Sequence, residues 1–181
     1  WEDYEAEDGE VIIKMDPGMA FGTGTHETTR LVMRLMQNDI HGGERVLDVG
    51  TGSGILSICA SKLGAKECYA YDIDPVAVKV ARENIKDSGL DNVTCDVSDL
   101  LKQVDTECAP YGVICANIVA DIIIRLAPDV GEYLADGGVF IVSGIIEERA
   151  DEVLTALDAA GYKVADERYE NGWYAAAVVR K

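Results

Sequence analysis

The sequence predicts an α/β protein, a doubly wound, mostly parallel seven-stranded sheet with helices on both faces and a C-terminal antiparallel β-hairpin. Three observations predict it. From Arg45 onward short apolar runs alternate with stretches of helical periodicity. A glycine-rich turn, Asp48 to Gly54, carries the first apolar run straight into a helix, and Asn171-Gly172 lies between two β-like runs near the end. Strands separated by helices form βαβ units with right-handed crossovers and therefore parallel pairing.

The first element is a helix. Leu31, Val32, Leu35 and Met36 recur at helical spacing, which predicts a helix from Thr25 to about Asn38 with one buried stripe. Thr25 is the expected N-cap, and Glu27 falls in the first turn, where the helix dipole favours an acid. "RVLDV" then reads as a buried strand, "GILSICASKLG" as a helix closed by Gly64, and "ECYAYD" as a second strand. Pro75 to Ser88 reads as a helix ending near Gly89, "NVTCDV" as a third strand and "YGVICAN" as a fourth. A helical region broken or restarted at Pro128 follows, then "GGVFIVSG" as a fifth strand and Glu147 to Ala160 as a helix ending at Gly161. The remaining run, "YKVADERYENGWYAAAVVR", is a hairpin, because Asn-Gly supplies the positive φ angles a two-residue turn requires.

The bulk numbers narrow the function. A length of 181 residues fits one domain, and 48% hydrophobic with 27% charged residues is an ordinary globular balance. No apolar run approaches the roughly 18 residues that span a bilayer, and no signal peptide opens the sequence, so a cytoplasmic protein is expected. Five cysteines without a Cys-x-x-Cys pair read as buried free thiols, and two histidines are too few for a zinc site. The formal charge of −17 argues against nucleic acid, since phosphate-binding surfaces need clustered Lys and Arg, and it suits a basic partner. The acidic opening, Trp1 to Glu10, reads as a linker or a cut end, so one domain of a longer protein is expected, its oligomeric state undetermined by sequence.

In "VLDVGTGSGIL" the glycines permit a tight turn and close backbone approach to a ligand at the carboxyl end of a central strand. A P-loop needs Lys after the last glycine, and the dinucleotide fingerprint needs Gly or Ala three residues beyond the second; Ile55 occupies both places. Asp48 beside the turn suits a ligand with cationic groups. Gly50 and Gly52 are the candidate backbone contacts. Asp72, eighteen residues past Gly54 at the end of the next strand, is placed to accept the hydroxyls of a ribose. Asp74 reads as the N-cap of the following helix, with ligand contact as the alternative. Asp96 either approaches an adenine amino group or caps the turn at Ser98. Asn117 either meets the ligand at the same sheet edge or caps the next helix, and Asp121 is either solvated or paired with Arg125.

Upstream, "DPGMAFGTGTHETT" (Asp16–Thr29) combines a flexible loop with a helix start and reads as a lid. Phe21 either packs over the ligand or anchors the core, and Trp173 and Tyr174 read as packing residues.

Together "VLDVGTGSG", "YDIDP" and "CANIV" resemble the nucleotide-methionine site of class I S-adenosylmethionine-dependent methyltransferases, a Rossmann-like fold. With the opening stretch added, the sequence resembles the PrmA family, methyltransferases of the large-subunit ribosomal protein numbered eleven. The resemblance implies S-adenosyl-L-methionine as cofactor and methylation of lysine side chains and the N-terminal amine of that basic protein. It implies Thr29, Gly50, Asp72 and Asn117 as cofactor contacts, and a separate substrate-recognition domain outside this sequence. Methylation of RNA or a small molecule, or cofactor binding without a target, are the alternatives. Asn117 is the candidate for orienting the acceptor amine, and His26 is the candidate base because imidazole titrates near neutrality.

Overall fold

The computed structural model describes residues 10, 12, 13 and 24–181. Helix α1 (Glu27–Asp39) precedes an alternation of β1 (Arg45–Val49), α2 (Ile55–Lys62), β2 (Glu67–Asp72), α3 (Pro75–Asp87) and β3 (Val93–Val97). Then come β4 (Tyr111–Asn117), α4 (Ala120–Val130), β5 (Leu134–Ile146), α5 (Ala150–Ala159), β6 (Tyr162–Glu170) and β7 (Trp173–Arg180). Single 3-10 turns lie at Thr106–Cys108 and Glu147–Arg149.

The seven strands form one sheet in the order β3-β2-β1-β4-β5-β7-β6. Neighbours from β3 through β5 pair in parallel, whereas β7 is antiparallel to both β5 and β6. One strand alone therefore runs against the rest. Asn171 and Gly172, both at positive φ, make the two-residue turn expected of them.

Alternation along the strands sorts the core into two layers. Val113 and Cys115 of β4, Ile141 of β5 and Ala175 and Ala177 of β7 face Leu31, Leu35, Ile55 and Leu56 of α1 and α2. α3 continues that layer over β2 and β3 through Val78, Ala81 and Ile85. On the opposite face Ile114, Ala116, Phe140, Val142 and Val178 pack under α4 and α5 through Ile123, Leu126, Val153 and Leu157. Four of the five cysteines are buried, and Cys108 is half-buried.

Several boundaries differ from those expected. His26, not Thr25, caps α1: its backbone is extended and its Nδ1 accepts the Thr28 N–H at 3.3 Å, while the Thr25 carbonyl accepts from Arg30. α4 runs through Pro128 without a break, since the proline removes only the bond to the Ile124 carbonyl two residues before the helix ends. β5 begins at Leu134, well before Gly137, because Leu134 pairs with Tyr111 ahead of a register shift. The last helix starts at Ala150, after the 3-10 turn.

Candidate functional site

The carboxyl ends of β1, β2 and β4 open into a cavity of about 500 Å³. The strand order reverses between β1 and β4, the place where an open parallel sheet leaves a crevice. Gly50 and Gly52 of the turn after β1, Asp72 and Ile73 at the end of β2, and Asn117 at the end of β4 line it. Ser98–Leu100, after β3, close one side, and Ile118, Val119, Ile122 and Arg125 of the β4–α4 segment form the other. Ile73 and Val119 are 65% and 61% exposed, so the mouth is apolar.

The glycine turn is fixed from β2. The N–H groups of Gly50 and Thr51 both donate to the Tyr71 carbonyl, at 2.8 and 2.9 Å. Gly50 has φ +75°, and a Cβ there would lie 2.5 Å from Cγ2 of Ile118, so any side chain would strain the backbone and push the cavity wall.

Asp72 holds the turn from below. Its Oδ2 accepts the Gly52 N–H at 2.9 Å and its Oδ1 accepts the Asp74 N–H at 3.0 Å. Each carboxylate oxygen retains acceptor capacity, since a carboxylate offers about four lone-pair sites and two are used. Asp74 caps α3 as expected, through the Val76 N–H at 2.8 Å.

Asp48, expected beside the ligand, is instead beneath the turn. It is fully buried, accepting from the hydroxyls of Thr51 (2.6 Å) and Ser57 (3.0 Å) and the Cys115 thiol (3.5 Å). Burial raises its carboxyl above the ordinary value, the three hydrogen bonds opposing that shift. It braces the turn rather than attracting a cation, because β1 points it to the face covered by α2.

Asn117 donates through Nδ2 to the Thr29 hydroxyl at 3.4 Å. It caps no helix; α4 has Val119 as N-cap, with no side-chain bond. Thr29 is itself buried in the first turn of α1. The same turn is tied to β5, where the buried Ser143 hydroxyl donates to the Thr28 carbonyl at 3.2 Å. Gly144 lets β5 approach: at φ +84°, a Cβ would lie 2.5 Å from the Ile118 carbonyl oxygen.

Other candidates lie away from the cavity. Asp96 accepts from Arg82 at 3.2 Å and from the Val97 N–H at 2.8 Å, with its side chain 65% exposed, and the cavity wall after β3 is formed by Ser98–Leu100. His26 contacts the Thr28 hydroxyl at 2.9 Å and meets Trp173 edge-on at 5.0 Å. Tyr174 is fully buried. Asp121 pairs with Arg149 at 2.7 Å, not with Arg125, and that hydrogen bond holds its carboxyl below the ordinary value. Phe21 and the rest of residues 16–23 of the expected lid lie outside the described residues.

Sequence reasoning missed Ser143 and Leu100. A lone serine inside the apolar run "VFIVSG" was a signal for the first. Leu100 has a left-handed backbone, φ +55°, which leucine does not announce.

The sequence profile of ribosomal protein L11 methyltransferase (PrmA) matches residues 1–181. A ribosomal protein L11 methyltransferase of Streptococcus pneumoniae serotype 4 is 50% identical over 174 residues, covering 96% of this chain and 54% of that protein. Its namesake in Caldanaerobacter subterraneus subsp. tengcongensis is 48% identical over 181 residues, covering 100% of this chain and 57% of the relative. The chain thus spans about half the length of these curated relatives. The crystal structure of a ribosomal protein L11 methylase from Lactobacillus delbrueckii subsp. bulgaricus superposes with a TM-score of 0.92 at 36% identity, covering 100% of this chain and 92% of that one. The chain belongs to the ribosomal protein L11 methyltransferase (PrmA) family.

Proposed function

We propose that this chain binds S-adenosyl-L-methionine and is the methyl-transfer domain of an enzyme acting on ribosomal protein L11, with lysine side chains and the N-terminal amine as acceptors. The observation that carries the reading is the convergence of Asp72, the Gly50 turn and Asn117 on one cavity. Family membership and the names of the relatives support the substrate. Recognition of the ribosomal protein is assigned to the length of those relatives beyond this match.

The residues present fit such a cofactor. The cavity volume is in the range of small-molecule sites. Asp72 has acceptor sites left for two ribose hydroxyls, and Gly50 and Gly52 put backbone at the cavity wall. With its amide nitrogen on Thr29, Asn117 offers its carbonyl oxygen to an ammonium or an incoming amine. When bound, the cofactor supplies a methyl group on a cationic sulfur.

The acceptor must offer a lone pair. A lysine of reference pKa about 10.4 costs roughly 4 to 5 kcal/mol to deprotonate at neutral pH, so its neutral form must be selected or stabilised. Asn117 orients that amine, and the apolar rim formed by Ile73 and Val119 disfavours its charged form. Positioning carries the acceleration. His26, engaged in capping α1, takes no proton in this scheme.

Isothermal titration with S-adenosylmethionine and, separately, NAD tests the cofactor assignment. Binding of the first and not the second is expected; no binding of S-adenosylmethionine sinks it. Transfer of labelled methyl to ribosomal protein L11 by the full-length enzyme, with label recovered on lysine and the N-terminal amine, tests the substrate.

A further inference from the structure

We propose that Leu100 is a specificity-determining residue, a partition that limits the size of the group at the far end of the cavity. The inference rests on the cofactor assignment above.

Two cavities meet at this residue. Besides the 500 Å³ cavity, a second of about 440 Å³ lies between the segment after β3 and α4, bounded by Lys102, Leu126, Asp129 and Tyr133. Asp99, Leu100 and Arg125 line both. Leu100 is the apolar member of that shared wall.

Its backbone is held in a conformation unsuited to leucine. Among the described residues only Leu100 and Asn171 have positive φ without being glycine, and Asn171 sits in a hairpin turn that favours it. A small frame fixes the position of Leu100. The buried Ser98 hydroxyl donates to the Leu100 carbonyl at 2.8 Å and accepts the Gln103 N–H at 3.2 Å, while the Asp99 N–H donates to Gln103 Oε1 at 2.7 Å. The Ser98 N–H in turn donates to the Asp72 carbonyl at 2.9 Å, so the partition is registered to the proposed ribose site.

Sheet order gives the direction of the ligand. Along the carboxyl edge lie Asn117 on β4, Gly50 after β1, Asp72 on β2 and Leu100 after β3, in that spatial sequence. A nucleoside with its ribose on Asp72 and its amino-acid end toward Asn117 must direct its base at Leu100. A bulky substituent on the exocyclic amino group of the base then collides with the partition, and removing the side chain joins the two cavities.

The test compares S-adenosylhomocysteine with its analogue carrying a benzyl group on that amino nitrogen, by titration calorimetry against the wild type and Leu100→Gly. The wild type should bind the analogue about ten- to hundredfold more weakly than the parent. Leu100→Gly, for which the positive φ is unstrained, should bind both within a fewfold, whereas Leu100→Asn, which keeps the bulk and tolerates the φ, should still discriminate. Equal binding of both ligands by the wild type, or continued rejection by a Leu100→Gly protein that binds the parent, overturns the inference. Failure of the wild type to bind the parent overturns the cofactor assignment instead. If Leu100→Gly loses its native circular dichroism, Leu100→Ala carries the same comparison.

Discussion

At the scale of single residues, Asp72 and Asp48 illustrate what burial decides. Asp72 faces the cavity with acceptor capacity in hand, so Asp72→Ala should weaken S-adenosylmethionine binding by about 1 to 3 kcal/mol, read by calorimetry. Asp48 is sealed under the turn, and burial raises its folded-state pKa. The folded protein then holds more protons than the unfolded chain between the unfolded carboxyl value and the raised one, so this group's contribution to stability falls as pH rises through that window. Urea unfolding against pH should show that loss in the wild type and a flatter profile in Asp48→Asn. Tyr111 is a third case: its ring is fully buried and its hydroxyl has no hydrogen-bond partner among the described residues. Tyr111→Phe removes an unsatisfied group at constant shape, and the expected change is from none to a gain of about 1 kcal/mol in the same measurement.

At the scale of elements, the site depends on how α1 is pinned across the sheet. Ser143 on β5 and Asn117 on β4 reach its first turn, and Glu170 of β6 accepts from Arg30 and Arg34 at 2.6 and 3.0 Å. Alanines 175 and 177 on β7 leave room beneath it. Gly144 is where this assembly is least tolerant. Gly144→Ala puts a methyl against the backbone of Ile118 at a positive φ, and a loss of roughly 1 to 3 kcal/mol is expected in thermal or urea unfolding. The element pattern was largely legible in sequence because alternation and helical periodicity are local properties: β1 to β4, α3 and the Asn171-Gly172 turn fall where they were expected. The exceptions were tertiary. Whether Thr25 or His26 caps α1 depends on which side chain meets the Thr28 N–H, and whether Pro128 breaks α4 depends on how near the helix already is to its end.

At the scale of the molecule, sequence located the site's edge but not its walls. Asp72, Gly50 and Asn117 follow strand ends, which the order of elements brings together. Ser98–Leu100 and the Ile118–Arg125 wall meet the cavity through a turn conformation and a helix orientation that no local pattern encodes. Ion pairs such as Arg45–Glu67 and Arg149–Asp121 each take one acid and one base, so they leave the net charge of −17 unneutralised. The order of strands carries one more consequence. β7, latest in the chain of all the elements, lies inside the sheet between β5 and β6. Growth from the amino end therefore leaves the flank of β5 bare, and α1 without part of its floor, until residues 173–180 arrive. Pulsed hydrogen exchange during refolding should find β5 amides that face β7 protected no earlier than β7 itself. For this sheet, the closing stitch is in the middle of the cloth.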